Sequence, residues 1–380
     1  MHESDYTIPV YGQLPFEPVR GEGVYMIDRE GRRVMDLYGG HAVACLGYGH
    51  PVLTEAITRQ ASSLLFQSNA VPLSIRARAA KALVDFAPDG LDRAFFVNSG
   101  AEANENALRI AFRLTGRERV VALERAFHGR TGAAGAVTWG ASAGWYAFPR
   151  SPFEVTFVSR DDPAQLIAAM GEDVAAVIVE PVQGVAGAYD VPATLLTEAR
   201  RATEACGSFL IFDEVQCGMG RSGDPFMADR LGITPDLLTT AKSLAGGMAA
   251  GALVTTEALS SRLGRGDLGT TFGGGPLACA AIEAVIDTIR TEGLLERVRQ
   301  VSRQIRERCV VGPVEHVQGA GLLLGLRTVR PAAEVRDALL ERDILVGTSA
   351  DKHVLRLLPP LILESAHVET LASALAEIAP

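Results

Sequence analysis

The chain has 380 residues, 48% hydrophobic and 21% charged, enough to bury a large core without disulfide or metal staples. Its formal net charge of −9 argues against a general nucleic-acid or membrane-surface role. The polar start, Met1 to Tyr11, lacks the basic and apolar regions of a secretory signal, and no apolar run nears the roughly 18 residues a membrane helix needs. The five cysteines are scattered and form neither a zinc spacing nor a disulfide framework, so a reducing cytoplasm is the expected setting.

The sequence shows no internal repeat, low-complexity tract or long linker, and its length suggests roughly two domains. From about residue 90 to 256, short apolar runs alternate with helical stretches. Arg93–Asn98, Arg119–Leu123, Val155–Ser159, Ala175–Glu180, Phe209–Glu214 and Leu237–Ala241 predict strands. Between them, the apolar spacing of Ala101–Leu114, Pro163–Met170 and Ala193–Ala205 predicts helices. Strands apolar throughout and alternating with helices predict an α/β fold, a mostly parallel sheet sandwiched by helices. The C-terminal part differs. Cys279–Ile289 and Leu294–Arg308 predict helices, then strands around Gly321–Leu326 and Val354–Leu358 flank a helix at Ala332–Arg342. This α+β segment is expected to form a smaller domain with the N-terminal residues.

In doubly wound sheets ligands sit at the carboxyl ends of the strands. The polar residues there are Asn98-Ser99-Gly100, Glu180, Asp213-Glu214 and Lys242. Ser99 can cap the following helix while Glu102 bonds back, and Gly100 leaves bare amides at a helix N-terminus that favours an anion; an ordinary capped helix reads the same way. Asp213-Glu214 can be a solvated strand end, the magnesium-binding acid of a nucleotide hydrolase, or a carboxylate paired with a protonated pyridine nitrogen. The second needs a phosphate loop ending in Gly-Lys-Ser/Thr, and the chain contains no Gly-Lys pair. Gly218-Met219-Gly220-Arg221-Ser222-Gly223 matches the dinucleotide fingerprint literally. It lies deep in the chain, behind two carboxylates that would repel a pyrophosphate, and reads as a glycine-rich turn. Of 36 basic residues only Lys81, Lys242 and Lys352 are lysines. Lys81 falls in an Arg- and Ala-rich helical stretch and Lys352 in a polar loop. Lys242, entered from an apolar run, is the candidate for a desolvated amine that attacks an aldehyde.

Taken together these residues resemble the class III (ω-amino-acid) aminotransferases, pyridoxal-phosphate enzymes of fold type I, from about Tyr11 to Leu361. The motifs run in the family's order: Asn98 to Glu105, Phe127-His128-Gly129-Arg130-Thr131, Glu180-Pro181-Val182-Gln183-Gly184, Asp213-Glu214-Val215-Gln216, Lys242, and Gly269 to Gly274. The resemblance implies a large cofactor-binding domain over 56–274 and a small one from 1–55 and 275–380. It implies Lys242 as the Schiff-base lysine, with Asp213 on the pyridine nitrogen. Ser99, Gly100 and Ala101 would hold the phosphate, Phe127 and Val215 flank the ring, and Gln216 meet the phenolic oxygen. Thr271 would reach the phosphate of a neighbouring subunit, hence a homodimer with shared active sites. Arg130 looks like the α-carboxylate anchor and Arg356 the second carboxylate-binding arginine; Thr270, Tyr11 and His41 fall on the substrate side. Carboxylate recognition suits arginine's bidentate fork.

Within the family the branch acting on N-acetylornithine and N-succinylornithine is the most similar. This implies a ping-pong transamination with 2-oxoglutarate, giving an N-acylglutamate semialdehyde and glutamate in arginine biosynthesis. Ornithine, 4-aminobutyrate or an acyl-lysine are the alternative amines, and a nicotinamide-dependent oxidoreductase built on the Gly218–Gly223 turn is the rival of different chemistry. Two positions depart from the pattern. Val185 stands where relatives commonly carry a glutamate that masks the second arginine, which leaves Arg356 open to another carboxylate such as that of a succinyl group. Gly275 replaces the usual asparagine before Pro276.

Overall fold

The computed structural model describes residues 3–380; the first two residues of the polar start lie outside it. The chain is built around a seven-stranded sheet. In chain order its strands are β1 (Arg93–Val97), β2 (Arg119–Leu123), β3 (Glu154–Val158), β4 (Val174–Val179), β5 (Phe209–Asp213), β6 (Leu237–Thr240) and β7 (Gly251–Thr255). Their spatial order is β1-β7-β6-β5-β4-β2-β3. Each expected strand is present with ends displaced by at most one residue. β4 and β5 have no exposed residue, because helices cover both faces and the Val-, Ile- and Leu-rich runs have no solvated side to alternate with.

β7 was not expected as a strand. It runs antiparallel between β1 and β6, so the sheet is mostly rather than wholly parallel. Gly251 makes this possible, since a Cβ there would strike the Ser99 backbone. Helix Gly100–Thr115 carries the chain from β1 to β2 and ends at Gly116, whose φ of 69° is the left-handed cap that glycine adopts freely. The expected helices also form, at Pro163–Ala169, Ala193–Cys206, Pro276–Thr291, Leu294–Arg308 and Ala332–Leu340. Gly275 is the N-cap of Pro276–Thr291 and offers no side-chain bond to the first turn.

Two further four-stranded sheets come from the chain ends. Val314–Ala320, Leu323–Thr328, Val354–Leu357 and Gly347–Thr348 form an antiparallel sheet. Arg20–Glu22, Tyr25–Ile27 and Arg33–Asp36 form a meander joined in parallel by Ile344–Leu345, so the two ends of the chain share backbone hydrogen bonds. Among the described residues no helix is long and apolar enough to cross a membrane.

Candidate active site

The carboxyl ends of β1, β4, β5 and β6 converge on a cavity of about 450 Å3 lined by Ser99, Phe127, Glu180, Asp213 and Lys242 among others. The two carboxylates that end β5 part company there. Asp213 faces the cavity. Its Oδ2 accepts from Asn104 Nδ2 at 2.7 Å and lies 2.7 Å from His128 Nδ1, while its Oδ1 accepts from the Val215 amide at 3.0 Å. Asn104 is held in turn by Thr239, whose hydroxyl donates to its Oδ1 at 2.6 Å, and by the His128 carbonyl at 2.8 Å. Glu214 turns the other way and accepts from the Met227 and Ala228 amides at 2.6 and 2.8 Å, where it serves the start of a short helix. Burial pushes its carboxyl up to about 8.

Lys242 follows β6 at a φ of 46°, an uncommon conformation for a residue with a side chain. Burial lowers the pKa of its amine; Asp213 and Glu180 oppose this, and Arg356 adds to it. A lowered pKa favours the neutral, nucleophilic form. Glu180 is pushed up to about 7 by burial, against the pull of His128 and Lys242. It orders the wall by accepting from the Phe127 amide at 2.8 Å and the Gly184 amide at 3.3 Å.

At the other end of the cavity the helix Gly100–Thr115 presents its N-terminus. Ser99 Oγ accepts from the Glu102 amide at 3.1 Å, as expected of a cap. The return bond differs by one residue: Glu102 Oε2 accepts from the amide and side chain of Asn98, both at 2.9 Å, rather than from Ser99. A Cβ on Gly100 would lie 2.6 Å from Val215 Cγ1, so glycine is what lets this turn close on the valine. The site thus offers amides for an anion at one end, an amine beside it, and a buried carboxylate at the other. Gln216 Oε1, buried next to Gly184, has no partner among the described residues. This donor set fits pyridoxal phosphate: amides for the phosphate, Asp213 for the ring nitrogen, Lys242 for the aldehyde.

The other candidate residues are distributed as follows. Phe127, Val215, Gln216 and Arg130 line the cavity. Arg130 is exposed, lies 4.3 Å over the Trp145 ring and has no ion-pair partner among the described residues. Arg356 sits behind the cavity wall, buried, with neutral acceptors only: Thr348 O at 2.8 Å, Gly184 O at 3.4 Å and the Tyr38 hydroxyl at 2.7 Å. That hydroxyl also meets His41 Nδ1 at 2.7 Å, and His41 holds a φ of 65°. Val185 lines the cavity and brings no carboxylate to Arg356. Thr270 Oγ1 is 3.5 Å from Asn98 Nδ2. Tyr11 and Thr271 are exposed and do not line this cavity within the chain. The Gly218–Gly223 turn is structural: Arg221 is fully buried and donates to the Leu322 and Pro359 carbonyls at 3.2 and 2.8 Å, tying the turn to the C-terminal part. Sequence reasoning gave no role to Asn104 or His128, although both stood inside quoted motifs; the signal was an amide and an imidazole beside residues already assigned to the cofactor.

A lysine and an aspartate at strand ends, facing a helix N-terminus across one cavity, define a covalently held cofactor of the pyridoxal type. Residues 7–379 match the family Aminotransferase class-III. An acetylornithine aminotransferase of Streptomyces coelicolor is 43% identical over 96% of this chain and 91% of its own. One of Methanocaldococcus jannaschii is 37% identical over 99% and 96%. The crystal structure of the ornithine aminotransferase from Toxoplasma gondii superposes with a TM-score of 0.91 at 26% identity, covering 98% of this chain and 92% of that one. The chain belongs to the class III aminotransferases: it is a pyridoxal-phosphate-dependent aminotransferase of fold type I.

Proposed function

We propose that the chain exchanges the terminal amine between an N-acylornithine and 2-oxoglutarate, with N-acetylornithine, named for its relatives, as a substrate, and that in arginine biosynthesis it runs from N-acetylglutamate semialdehyde and glutamate to the ornithine derivative. The observation that carries this reading is Arg130, a guanidinium without an ion-pair partner among the described residues, on the same cavity as the Lys242 amine. A substrate with a carboxylate at one end and a primary amine at the other spans the two.

When bound, the cofactor would supply an electron sink for the substrate carbon that bears the transferred amine. The chain's own residues do the rest. Lys242 would hold the cofactor's aldehyde and, as a neutral amine, would serve as base and then acid for the proton on the substrate carbon that bears the transferred amine. Asp213, oriented by Asn104 and His128, would keep a proton on the ring nitrogen. Ser99, Gly100 and Ala101 would hold the phosphate, Phe127 and Val215 would flank the ring, and Gln216 would meet the phenolic oxygen. Arg356, tied to Tyr38 beside His41, is the carboxylate partner for the keto acid.

Residues 56–274 form the cofactor-binding domain in this reading, and 1–55 with 275–380 the smaller one. The enzyme works in the cytoplasm as a homodimer. Leu64, Leu65, Phe66 and Phe272 are exposed, and the Phe66 and Phe272 rings lie 5.2 Å apart. Such a patch beside Thr270 and Thr271 suits a subunit interface. Thr271 then serves the neighbouring subunit's phosphate, and Tyr11 lines a site completed by the second chain.

The test is a glutamate-forming assay with 2-oxoglutarate and N-acetylornithine, N-succinylornithine, ornithine, 4-aminobutyrate and N-acetyllysine. Either N-acylornithine should lead the panel. A clear preference for a free ω-amine would keep the cofactor chemistry and overturn the substrate.

A further inference from the structure

Next to the Lys242 cavity lies a second chamber of about 620 Å3, which shares Phe127, Arg130 and Val185 with it. The chain has two tryptophans and three lysines. Trp139, Trp145 and Lys352 all line this chamber, with Arg125 beside them. Arg125 and Lys352 are exposed, and among the described residues neither side chain has a hydrogen-bond or ion-pair partner. Arg125 holds a φ of 63°, a backbone conformation that few residues with a side chain adopt and that sets its position at the rim. Asp351 also lines the chamber, but its carboxylate already takes the Tyr189 hydroxyl at 2.8 Å and Arg327 at 3.2 Å. The free charge of the chamber is therefore positive, and its walls are aromatic.

Substrate stereochemistry connects the two cavities. In an N-acylornithine one carbon bears both the carboxylate and the acylated nitrogen. With the amine at Lys242 and the carboxylate on Arg130, at the shared wall, the acyl group starts at the junction and has the outer chamber ahead of it. An acetyl group ends there, leaving the chamber to water and both cations unpaired. A longer acyl chain ending in a carboxylate lays its methylenes against the tryptophans and brings its charge to Lys352 and Arg125. Val185 at the shared wall puts no opposing carboxylate on that path.

We infer that the outer chamber is an acyl subsite that selects dicarboxylic N-acyl groups, of which N-succinylornithine is the probe, over N-acetyl. This rests on the N-acylornithine reading above. Exposed charge pairs are individually weak, so with two of them kcat/KM for N-succinylornithine should exceed that for N-acetylornithine by about threefold or more. In the double variant Lys352→Ala/Arg125→Ala the ratio should fall towards one, through a raised KM for the succinyl substrate and not through kcat. Lys352→Glu should push the ratio below one. Both side chains are exposed, so folding does not depend on them. A second readout avoids turnover: in holo Lys242→Ala protein, N-succinylornithine should change the tryptophan emission, and the double variant should need a higher concentration for the same change. Equal or greater kcat/KM for N-acetylornithine in the parent enzyme, or a ratio unmoved by the charge variants, would overturn the subsite and leave the N-acylornithine assignment standing. Failure of both acylornithines beside an active free ω-amine would overturn both.

Discussion

The two chambers that meet at Arg130 are built by opposite means. Around Asp213 every contact is over-determined: three donors reach its carboxylate, they come from a helix, a loop and the strand end itself, and the two side chains among them are buried. The Lys352 and Arg125 side chains are exposed, stand on loops and have no hydrogen-bond or ion-pair partner among the described residues. The inner chamber has to hold reacting atoms to a fraction of an ångström, and a sheet whose strands are buried on both faces provides that rigidity. The outer one needs only charge and space, which loops can vary at little cost in stability. In the proposed reading, chemistry and substrate choice are thus separated by one arginine.

The comparison can be broken most severely at Lys242. Lys242→Ala removes the covalent anchor and the proton carrier together, and turnover in the glutamate-forming assay should fall by at least about 10³-fold, with the cofactor bound but not attached. Near-normal rates would sink the assignment. Asp213→Ala should cost about 10²-fold or more in turnover and should also lower stability, because the Asn104 and His128 donors are left buried without an acceptor at roughly 1–3 kcal/mol each. Denaturant midpoints check this, and they should not fall in the same way for Lys242→Ala, whose amine is already disfavoured by burial.

Arg130→Lys sits on the border of the two chambers. It keeps the charge but loses the planar fork, so KM for carboxylate substrates should rise about tenfold with kcat little changed. A fall in kcat with KM unaltered would remove Arg130 from substrate binding. The smallest effect is expected behind the inner chamber. The Glu214 carboxyl is raised from 4.5 to about 8 by burial, so the stability it contributes is present below pH 4.5 and lost as pH rises through about 8. Glu214→Gln cannot ionise, and its unfolding midpoint should fall less between pH 5 and pH 9 than that of the parent. An identical pH profile would mean that Glu214 is ionised throughout.

Much of this was legible without coordinates. The strand runs are mostly apolar, and in β4 and β5 buried throughout as a sheet covered on both faces requires, so β1 to β6 could be located to within a residue. Those runs end in Ser99, Asp213 and Lys242, and the end of a parallel strand is where ligands bind, so the candidate residues followed from the pattern. The motif order then pointed to the family. β7 escaped, and so did its antiparallel direction, which depends on Gly251 passing close to the Ser99 backbone.

Sequence alone thus determined most of the elements and the family, and put Lys242 forward as the candidate lysine, because periodicity and strand-end chemistry are local properties. Tertiary structure decided which of two adjacent carboxylates faces the cavity, that Asn104 and His128 orient it, that Arg221 makes the glycine-rich turn structural, and that Arg125, Lys352 and both tryptophans surround one space. These are relations between residues far apart in the chain. No local pattern encodes them, because they exist only once the strands and loops have been brought together.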